Sequence, residues 1–378
     1  MKKIGLLIDT LIGGGAEKFT LTFASTFAKL GHDVHIFILE DKIEHDVDTN
    51  LYSIHNITNN IKLYDNKYLK KQQLVKLLKQ KIKLLEENVK FDLFISNSED
   101  MDYLGGKAKL DNFFIRYRNS MYQYFQSKLG KTSGFKRIRR EFKFKQQFKK
   151  RYDNQNIITV SKALIDDITI QMNIKPKSID TIYNPLDFDR IKSLSKEMPL
   201  DLPDTKYIIC VAKYENRKDQ ITLLKAYAES KVFDVYKLLL VGGTYTESDK
   251  DYLKLIKQTI NKLSLNKYVN LMDFKQNPYP YIKNAELLVL PSKSEGFGAV
   301  LAEALILKTK IISTDCPCGP SEILKNELSS FLSPVGDHMK MSDNIKKALI
   351  SYPVITDEIV KDYDPIYSVS QYLELVKK

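Results

Sequence analysis

A strand-and-helix alternation that runs through the first half of the chain and then restarts is the feature that most limits its fold. Apolar segments at 3–9, 33–39 and 91–96 have the length of buried strands, and amphipathic segments typical of helices lie between them. The alternation begins again at 207–211 and continues to 310–313. This pattern is typical of parallel sheets with helices on both faces. We therefore expect an α/β protein with two doubly wound halves.

The length of the chain agrees with two domains. Its 378 residues exceed what one compact core usually holds. Residues 190–206 form a polar stretch with two prolines, which we interpret as a linker. We place one domain at 1–188, a second at 189–360, and a last helical segment at 361–378. Because ligands of such sheets bind beyond the carboxyl ends of the strands, the expected site is a cleft between the domains.

Composition excludes several classes of protein. Apolar residues make up 43% of the chain and charged residues 28%, which are the values of a globular protein and not of a disordered or fibrous one. No run of about 18 apolar residues occurs, so the sequence predicts no membrane-spanning helix. The three cysteines, Cys210, Cys316 and Cys318, are too few for a disulfide framework and favour a reducing compartment.

The net charge of +12 is concentrated in one segment. Residues 116–151 contain thirteen lysines and arginines and a single acid, Glu141, whereas the remainder of the chain is balanced. Three interpretations are open: a helix with solvated cations packed on its domain, an interfacial helix on anionic lipid, or a nucleic-acid surface. Because no other nucleic-acid module is present, we expect an anionic membrane or acceptor. The centre of this patch consists of Lys136, Arg137, Arg139 and Arg140.

Two glycine-containing turns stand where a predicted strand passes into a helix. Gly13, Gly14 and Gly15 follow the first strand, and such a turn allows a ligand to approach the backbone amides at a helix start. A tight turn without a ligand explains this motif equally well. The second turn precedes an apolar helix that carries Glu303, eight residues after Glu295. A carboxylate on so apolar a helix needs a partner when it is buried, and ligand hydroxyls can serve.

Taken in order, these and further motifs resemble those of the retaining glycosyltransferases of family 4, in which Glu295 to Glu303 matches the E-x7-E signature. The resemblance implies the α/β GT-B architecture, with two Rossmann-like doubly wound domains facing a central cleft. Residues 1–188 would bind the acceptor, 189–360 the nucleotide sugar, and the helix in 361–378 would pack back on the first domain. The matching segments are 13–17, 159–162, 182–187, 211–218, 295–303 and 314–323.

The resemblance also implies roles for individual residues. Lys213 and Lys218 would stabilise the diphosphate leaving group, and Glu295 would bind hydroxyls of the donor sugar. Glu303 would accept hydrogen bonds from the two ribose hydroxyls. Since cations and a helix dipole take the place of an ion, the implied catalysis needs no metal and no cofactor. The remaining expected donor contacts are Gly13, Gly14, Gly15, Gly296, Phe297 and Gly298.

The chain departs from the family pattern at two places. Lys213 stands where the family has an arginine, so a bidentate fork becomes a point charge. The segment 114–120 lacks the histidine that many members carry there. We expect Arg118 or Asn119 to take its place, and Glu99 to be a further sugar or acceptor contact.

We therefore expect an enzyme that moves a hexose or N-acetylhexosamine from a nucleotide-diphosphate sugar to a glycan or glycolipid in cell-surface polysaccharide synthesis. A UDP-sugar is favoured over a GDP-sugar, and nucleic acid is not an expected partner. The expected location is cytoplasmic, peripheral on the inner face of the cell membrane. Two alternatives stay open: a glycan-binding or sugar-nucleotide-binding protein with weakened catalysis, and a sugar-nucleotide epimerase of similar fold.

Overall fold

Two parallel sheets organise the computed structural model, which describes residues 1–59, 61–130 and 132–377. Lys131, in the basic segment, and Lys378, at the end of the last predicted helix, lie outside the described residues. The N-terminal unit comprises 1–186 with 363–378, and the C-terminal unit comprises 187–362. The expectation of an α/β protein with two doubly wound parallel-sheet domains is confirmed.

The N-terminal unit is built on a seven-stranded sheet with the order β3-β2-β1-β4-β5-β6-β7, in which every pair is parallel. Its strands are β1 Lys3–Ile8, β2 Asp33–Ile38, β3 Ser53–Asn56, β4 Leu93–Ser96, β5 Phe113–Tyr117, β6 Asn156–Thr159 and β7 Ser178–Thr181. Its helices are α1 Gly15–Lys29, α2 Lys67–Leu85, α3 Glu99–Ala108, α4 Met121–Leu129, α5 Gly134–Tyr152, α6 Ala163–Asp166 with a π-helical turn at Asp167–Gln171, and α14 Pro365–Leu375.

The C-terminal unit is built on a six-stranded parallel sheet with the order β10-β9-β8-β11-β12-β13. Its strands are β8 Tyr207–Val211, β9 Lys237–Val241, β10 Val269–Met272, β11 Leu287–Leu290, β12 Ile311–Thr314 and β13 Leu332–Ser333. Its α-helices are α7 Phe188–Leu194, α8 Gln220–Ser230, α9 Glu247–Lys262, α10 Tyr279–Lys283, α11 Ala299–Ile306, α12 Pro320–Ile323 and α13 His338–Ile350. Short 3-10 helices occupy Asn216–Lys218 and Asn326–Phe331, and a third, Asp357–Tyr363, ends at the unit boundary.

Chain reversal at the first helix follows from a single glycine. Gly31 has φ +83°, a backbone conformation that residues other than glycine rarely adopt, and it follows Leu30, the C-cap residue of α1. The helix presents Phe23 and Phe27 to the core, where both are fully buried. β1 and β2 can then pair in register, with Lys3 opposite Asp33.

The last helix packs against the first. α14 belongs to the N-terminal unit, and the ring of Tyr372 meets Phe23 of α1 edge-on at 5.3 Å between ring centroids. Arg116, which is 1% exposed, lies beneath this contact with its guanidinium 4.7 Å from the Phe23 ring centroid.

The polar stretch 190–206, interpreted above as a linker, begins as a helix. α7 starts at Phe188 because the Asp187 side chain accepts a hydrogen bond from the backbone N–H of Arg190, and Ile191 anchors the helix by burial. Polar composition alone therefore misassigned the first part of this segment, whose helical turn is fixed by one cap and one buried side chain.

Candidate functional site

The ends of two neighbouring strands create the candidate site of the C-terminal unit. β8 and β11 pair in parallel, with Leu287 opposite Ile208. Their carboxyl ends therefore lie at the same edge of the sheet, and the chain leaves each strand in a loop. The backbone N–H of Lys293 donates to the carbonyl of Arg217, which joins these two loops. This is the edge at which parallel α/β sheets bind ligands.

Glu295 is the centre of this edge. Its carboxylate is 7% exposed and accepts hydrogen bonds from Lys218 Nζ and Ser292 Oγ, each at 2.6 Å. Arg217 lies 3.6 Å from its other oxygen. Burial alone would raise the pKa of Glu295, but the two neighbouring cations and the hydrogen bonds hold it below its ordinary value. The carboxylate is therefore ionised and fixed in one orientation.

Lys213 is held at the same edge by a second carboxylate. Its Nζ lies 3.0 Å from Asp249 and 3.7 Å from Glu215, over the ring of Tyr245. Asp249 is buried at the start of α9, where it completes a capping box with Thr246. Burial works against its charge, but hydrogen bonds from the Tyr245 backbone and from Lys213 lower the pKa of Asp249. Lys213 thus has a fixed position although its side chain remains 32% exposed.

The turn before α11 depends on glycine at two positions. Gly298 has φ +83° and caps α11 at its N-terminus. Gly319 has φ +102°, and a side chain there would place its Cβ 2.2 Å from the Phe297 carbonyl oxygen. Both positions therefore require glycine, and the Phe297 side chain, between Glu295 and Glu303 in the sequence, is itself buried. The turn presents the N-terminal end of an apolar helix beside Glu295.

Glu303 is the second carboxylate of the E-x7-E pair. It lies on an apolar helix, and its carboxylate has a hydrogen-bond partner. It is 9% exposed, and the Tyr279 hydroxyl of α10 donates to its Oε1 at 3.1 Å. Burial together with the Glu303 charge raises the pKa of Tyr279. The tyrosine therefore keeps its proton and orients the carboxylate.

Sequence reasoning missed three contributors to this site. Arg217 faces Glu295, Asp249 holds Lys213, and Tyr279 holds Glu303. A signal existed for Arg217 because it precedes Lys218 directly. None existed for Asp249 and Tyr279, which reach the site from other helices. With Lys213 and Lys218, Arg217 makes three cations at one sheet edge, which is a set suited to binding a diphosphate.

In the N-terminal unit the predicted glycines form an exposed loop between β1 and α1. Gly13, Gly14 and Gly15 are all exposed. A Cβ on Gly14 would lie 2.3 Å from a carboxylate oxygen of Glu17, whose pKa is raised by burial. The loop is therefore open to solvent at the carboxyl end of β1.

The other predicted contacts of the N-terminal unit follow adjacent strands. Glu99 begins α3 after β4 and pairs with Arg151 of α5 at 3.1 Å. Arg118 and Asn119 follow β5, and Arg118 counteracts the pKa increase that burial imposes on Asp9. β4 and β5 are parallel neighbours, so the structure brings all three predicted residues to one edge of the sheet.

The predicted basic patch lies on α5. All four cations are exposed, and Arg137 donates to the Gln126 side chain at 2.6 Å while Arg140 donates to the Thr132 hydroxyl at 3.0 Å. Both bonds are local, and neither neutralises charge. Their partners are neutral side chains, so the patch keeps its full positive charge at the surface.

Comparison with known proteins decides the family. The family described as "Glycosyltransferase Family 4" matches residues 13–190, and that described as "Glycosyl transferases group 1" matches residues 195–361. The chain is a family 4 glycosyltransferase. The prediction made from the motif series is confirmed, including the assignment of the protein as an enzyme of this class.

Relatives of this glycosyltransferase are found in sequence and in structure. The chain is 27% identical over 356 residues, 92% of its length and 90% of the relative's, to the Campylobacter jejuni N-acetylgalactosamine-N,N'-diacetylbacillosaminyl-diphospho-undecaprenol 4-alpha-N-acetylgalactosaminyltransferase. Anabaena HepE, crystallised with UDP and glucose, superimposes with a TM-score of 0.75 at 17% identity over the whole of both chains. A Rickettsia africae glycosyltransferase gives 0.75 at 16% identity, covering 100% of this chain and 98% of that one. The solved structures show that the glycosyltransferase has the GT-B fold.

Neither a metal cluster nor a membrane-spanning helix occurs in the described part of the chain. Within residues 1–59, 61–130 and 132–377, no group of three or more His, Cys, Asp or Glu side chains is placed to hold a metal ion. In the same residues no helix is both long and apolar enough to cross a membrane. Metal-independent catalysis by this glycosyltransferase stays a prediction.

Proposed function

We propose that the protein transfers a hexose or N-acetylhexosamine from a UDP-sugar to a glycan or glycolipid acceptor, with retention at the anomeric carbon and without a metal. The observation that carries the proposal is the cluster at the end of β8 and β11, where Glu295 is fixed between Lys218 and Arg217. Beside it Lys213 supplies a further cation, and Glu303 is oriented by Tyr279.

This cluster provides what the departing diphosphate requires. Negative charge grows on the leaving group as the glycosidic bond breaks, and preorganised cations stabilise that charge most where water is scarce. The α11 N-terminus adds backbone N–H groups and its dipole. Glu303 is then available to accept from the two ribose hydroxyls, and Glu295 from hydroxyls of the donor sugar.

The proposal of retention rests on the resemblance to the retaining enzymes of family 4. Glu295 is committed to Lys218 and Ser292, so we assign it to hydroxyl binding and not to covalent attack on the sugar. The acceptor hydroxyl then attacks from the face that the diphosphate leaves, and a diphosphate oxygen takes its proton. NMR of the product linkage tests this step, and an inverted anomeric configuration would contradict it.

Relatives support the proposed substrates. Anabaena HepE was crystallised with UDP and glucose, and the Campylobacter relative is named for a diphospho-undecaprenol substrate. A Staphylococcus aureus relative, 26% identical over 239 residues, is named a capsular polysaccharide biosynthesis glycosyltransferase. These names favour a UDP-sugar donor and a lipid-linked or polymeric glycan acceptor.

The amphipathic helix α5 supports a peripheral place on an anionic membrane. One apolar stripe of α5 packs inward, with Phe144 stacked on Phe125 at 4.2 Å between centroids. A second stripe, Phe135, Ile138 and Phe142, is 65–80% exposed among the cations. A helix with this pattern binds at the interface of anionic lipid. The glycosyltransferase would thereby reach an acceptor embedded at the inner face of the membrane.

Donor binding tests the proposed function directly. Purified protein is heated with a panel of UDP-sugars and GDP-sugars in the presence of EDTA, and UDP-sugars are expected to raise the midpoint of unfolding. Glu303→Ala should abolish the shift because the ribose hydroxyls lose their acceptor. Glu327→Ala, at an exposed residue of the same unit, is the control. No stabilisation of the parent by any UDP-sugar would contradict the proposal, and a shift only with GDP-sugars would overturn the choice of base.

A further inference from the structure

A cavity of about 260 Å³ lies in the N-terminal unit where α3, α4 and α5 meet. It opens beside Glu99, the first residue of α3, and Tyr124, on α4. α3 follows β4 and α4 follows β5, so the cavity stands at the same sheet edge as Arg118 and Asn119. Of the residues that line it, only Glu99 was predicted from the sequence to contact a sugar or the acceptor.

One wall of the cavity is a fixed row of aromatic rings. Phe144 stacks on Phe125, with a 15° angle between the ring planes, and Phe148 follows 4.6 Å from Phe144. The row ends at Tyr152, whose ring centroid is 5.6 Å from that of Phe148 and whose hydroxyl donates to the buried Asp102 at 3.0 Å. Phe144 and Phe148 are half-buried, so part of each ring remains open to the cavity.

Three polar side chains form the hydrophilic part of the cavity lining. Arg151 and Glu99 form an ion pair at 3.1 Å, with 21% and 51% of their side chains exposed. Gln147 adds an exposed amide one turn before Arg151. A carboxylate, a guanidinium and an amide together offer acceptors and donors in planar pairs.

Rings beside paired donors and acceptors match the surface of a pyranose. A sugar ring has apolar C–H groups on its faces, which pack on aromatic rings, and hydroxyls at its rim, which both donate and accept. A lipid chain would instead cover the Glu99–Arg151 pair and deprive it of water. The volume is also below the roughly 300–1,000 Å³ of sites for drug-sized ligands, which disfavours a nucleoside diphosphate.

We propose that this cavity binds one pyranose residue of the acceptor glycan. The inference rests on the proposed function, because it names a contact of the acceptor with the N-terminal unit. Tyr124 and Gln147 would contact the sugar, whereas Tyr152 and Asp102 would act as positioning residues that hold the aromatic row.

The experiment measures sugar binding without nucleotide and without turnover. The probes are the methyl α-glycosides of glucose, galactose, N-acetylglucosamine and N-acetylgalactosamine, followed by saturation-transfer NMR on the full chain. We expect at least one of them to bind the parent and both Tyr124→Ala and Gln147→Ala to weaken it about tenfold, the size of one strong polar contact. Tyr124→Phe should bind more tightly than Tyr124→Ala because it keeps the ring.

Matched controls come from the same unit. Gln146→Ala changes the neighbouring residue of the same helix, and Tyr68→Ala removes a tyrosine that is 67% exposed on α2. Both should bind the glycosides as the parent does. Binding of no glycoside by the parent, or equal binding by the parent and both cavity variants, would overturn the inference.

The outcome for the donor keeps the two proposals distinguishable. If UDP-sugars stabilise the parent while the cavity variants leave glycoside binding unchanged, only the cavity assignment fails. If no UDP-sugar binds, the proposed function fails, whatever the glycosides do.

Discussion

At the scale of single residues, the candidate donor site is a set of charges that neutralise one another until a ligand arrives. Glu295 lies between Lys218 and Arg217, and Lys213 is balanced by Asp249. Pairing lets buried groups stay ionised, which an isolated buried charge cannot do at acceptable cost. The arrangement therefore presents cations in fixed positions at the edge of an otherwise apolar sheet.

Lys218 allows a test that separates catalysis from binding. If Lys218 acts on the leaving group, Lys218→Ala should lower kcat and kcat/KM together by about 10²–10³. Donor affinity should change much less, because Lys213 and Arg217 remain. Turnover is measured at saturating donor and affinity by calorimetry with UDP-sugar.

Lys293→Ala is the control for that variant. Lys293 lies in the facing loop and bonds to Asn216, not to Glu295, so its loss should alter turnover little. Lys218→Arg should recover part of the rate because it restores a cation. A fall in donor affinity as large as the fall in kcat/KM would instead assign Lys218 to ground-state binding.

Residues of the site were predictable from the sequence only where they fall in a motif. The E-x7-E spacing identified Glu295 and Glu303 because both belong to one strand-turn-helix segment. Tyr279 lies 24 residues before Glu303 and meets it only because α10 and α11 pack together in the fold. Asp249 first serves as a helix cap, which gives no hint of its contact with Lys213.

At the scale of elements, apolar pattern and charge predicted the long basic helix and the strands other than β3, β7 and β13, but not what α5 packs on. Its inward stripe is buried by α4, a nine-residue helix that begins where the Ser120 side chain accepts from the backbone N–H of Gln123. A single cap and one stacked ring, Phe125, define that helix. Features this small do not identify α4 in the sequence as long as the position of α5 is unknown.

The attachment of α5 to α3 should make stability depend on pH. Asp102 of α3 accepts from Tyr152 and from Ser96, and complete burial raises its pKa to about 7. The folded state therefore holds a proton that the unfolded chain has lost between about pH 4 and pH 7. The free energy of unfolding should fall as pH rises through this window, by roughly 1.4 kcal/mol for each pKa unit of the shift.

Urea unfolding at pH 5 and pH 8 measures this effect. Asp102→Asn removes the titrating group, so the difference in stability between the two pH values should shrink relative to the parent. Asp65→Asn, at an exposed position, should leave the difference unchanged. An equal pH dependence in Asp102→Asn and the parent would show that another group is responsible.

At the scale of the whole molecule, the restarting alternation of strands and helices was sufficient to predict two parallel-sheet units. Parallel strands need a crossover between them, so each apolar run separated by a helix adds one strand. The pattern did not predict the short helices α6, α7, α10 and α12, whose four to seven residues cannot show a helical period, nor the longer helices α3, α4 and α13.

At the same scale, positive charge is distributed unevenly over the chain, because its net excess of +12 equals that of residues 116–151 alone. Vesicles of equal parts phosphatidylglycerol and phosphatidylcholine should bind the protein, whereas pure phosphatidylcholine should not. Binding should fall steeply with salt, since the Debye length is about 10 Å at 0.1 M. Replacing Lys136, Arg137, Arg139 and Arg140 by Gln should reduce affinity more than a hundredfold at low salt, because each cation contributes about 1 kcal/mol at the surface.

The control for this variant removes the same charge from another helix. Lys67, Lys70, Lys76 and Lys79 are exposed on α2, and their replacement by Gln changes the net charge equally. If the position of the charge matters, this control should bind vesicles nearly as the parent does. Donor binding should be normal in both variants, because Glu303 and its partners belong to the C-terminal unit. Equal vesicle binding by the parent and the α5 variant would leave α5 as a packed helix with solvated cations.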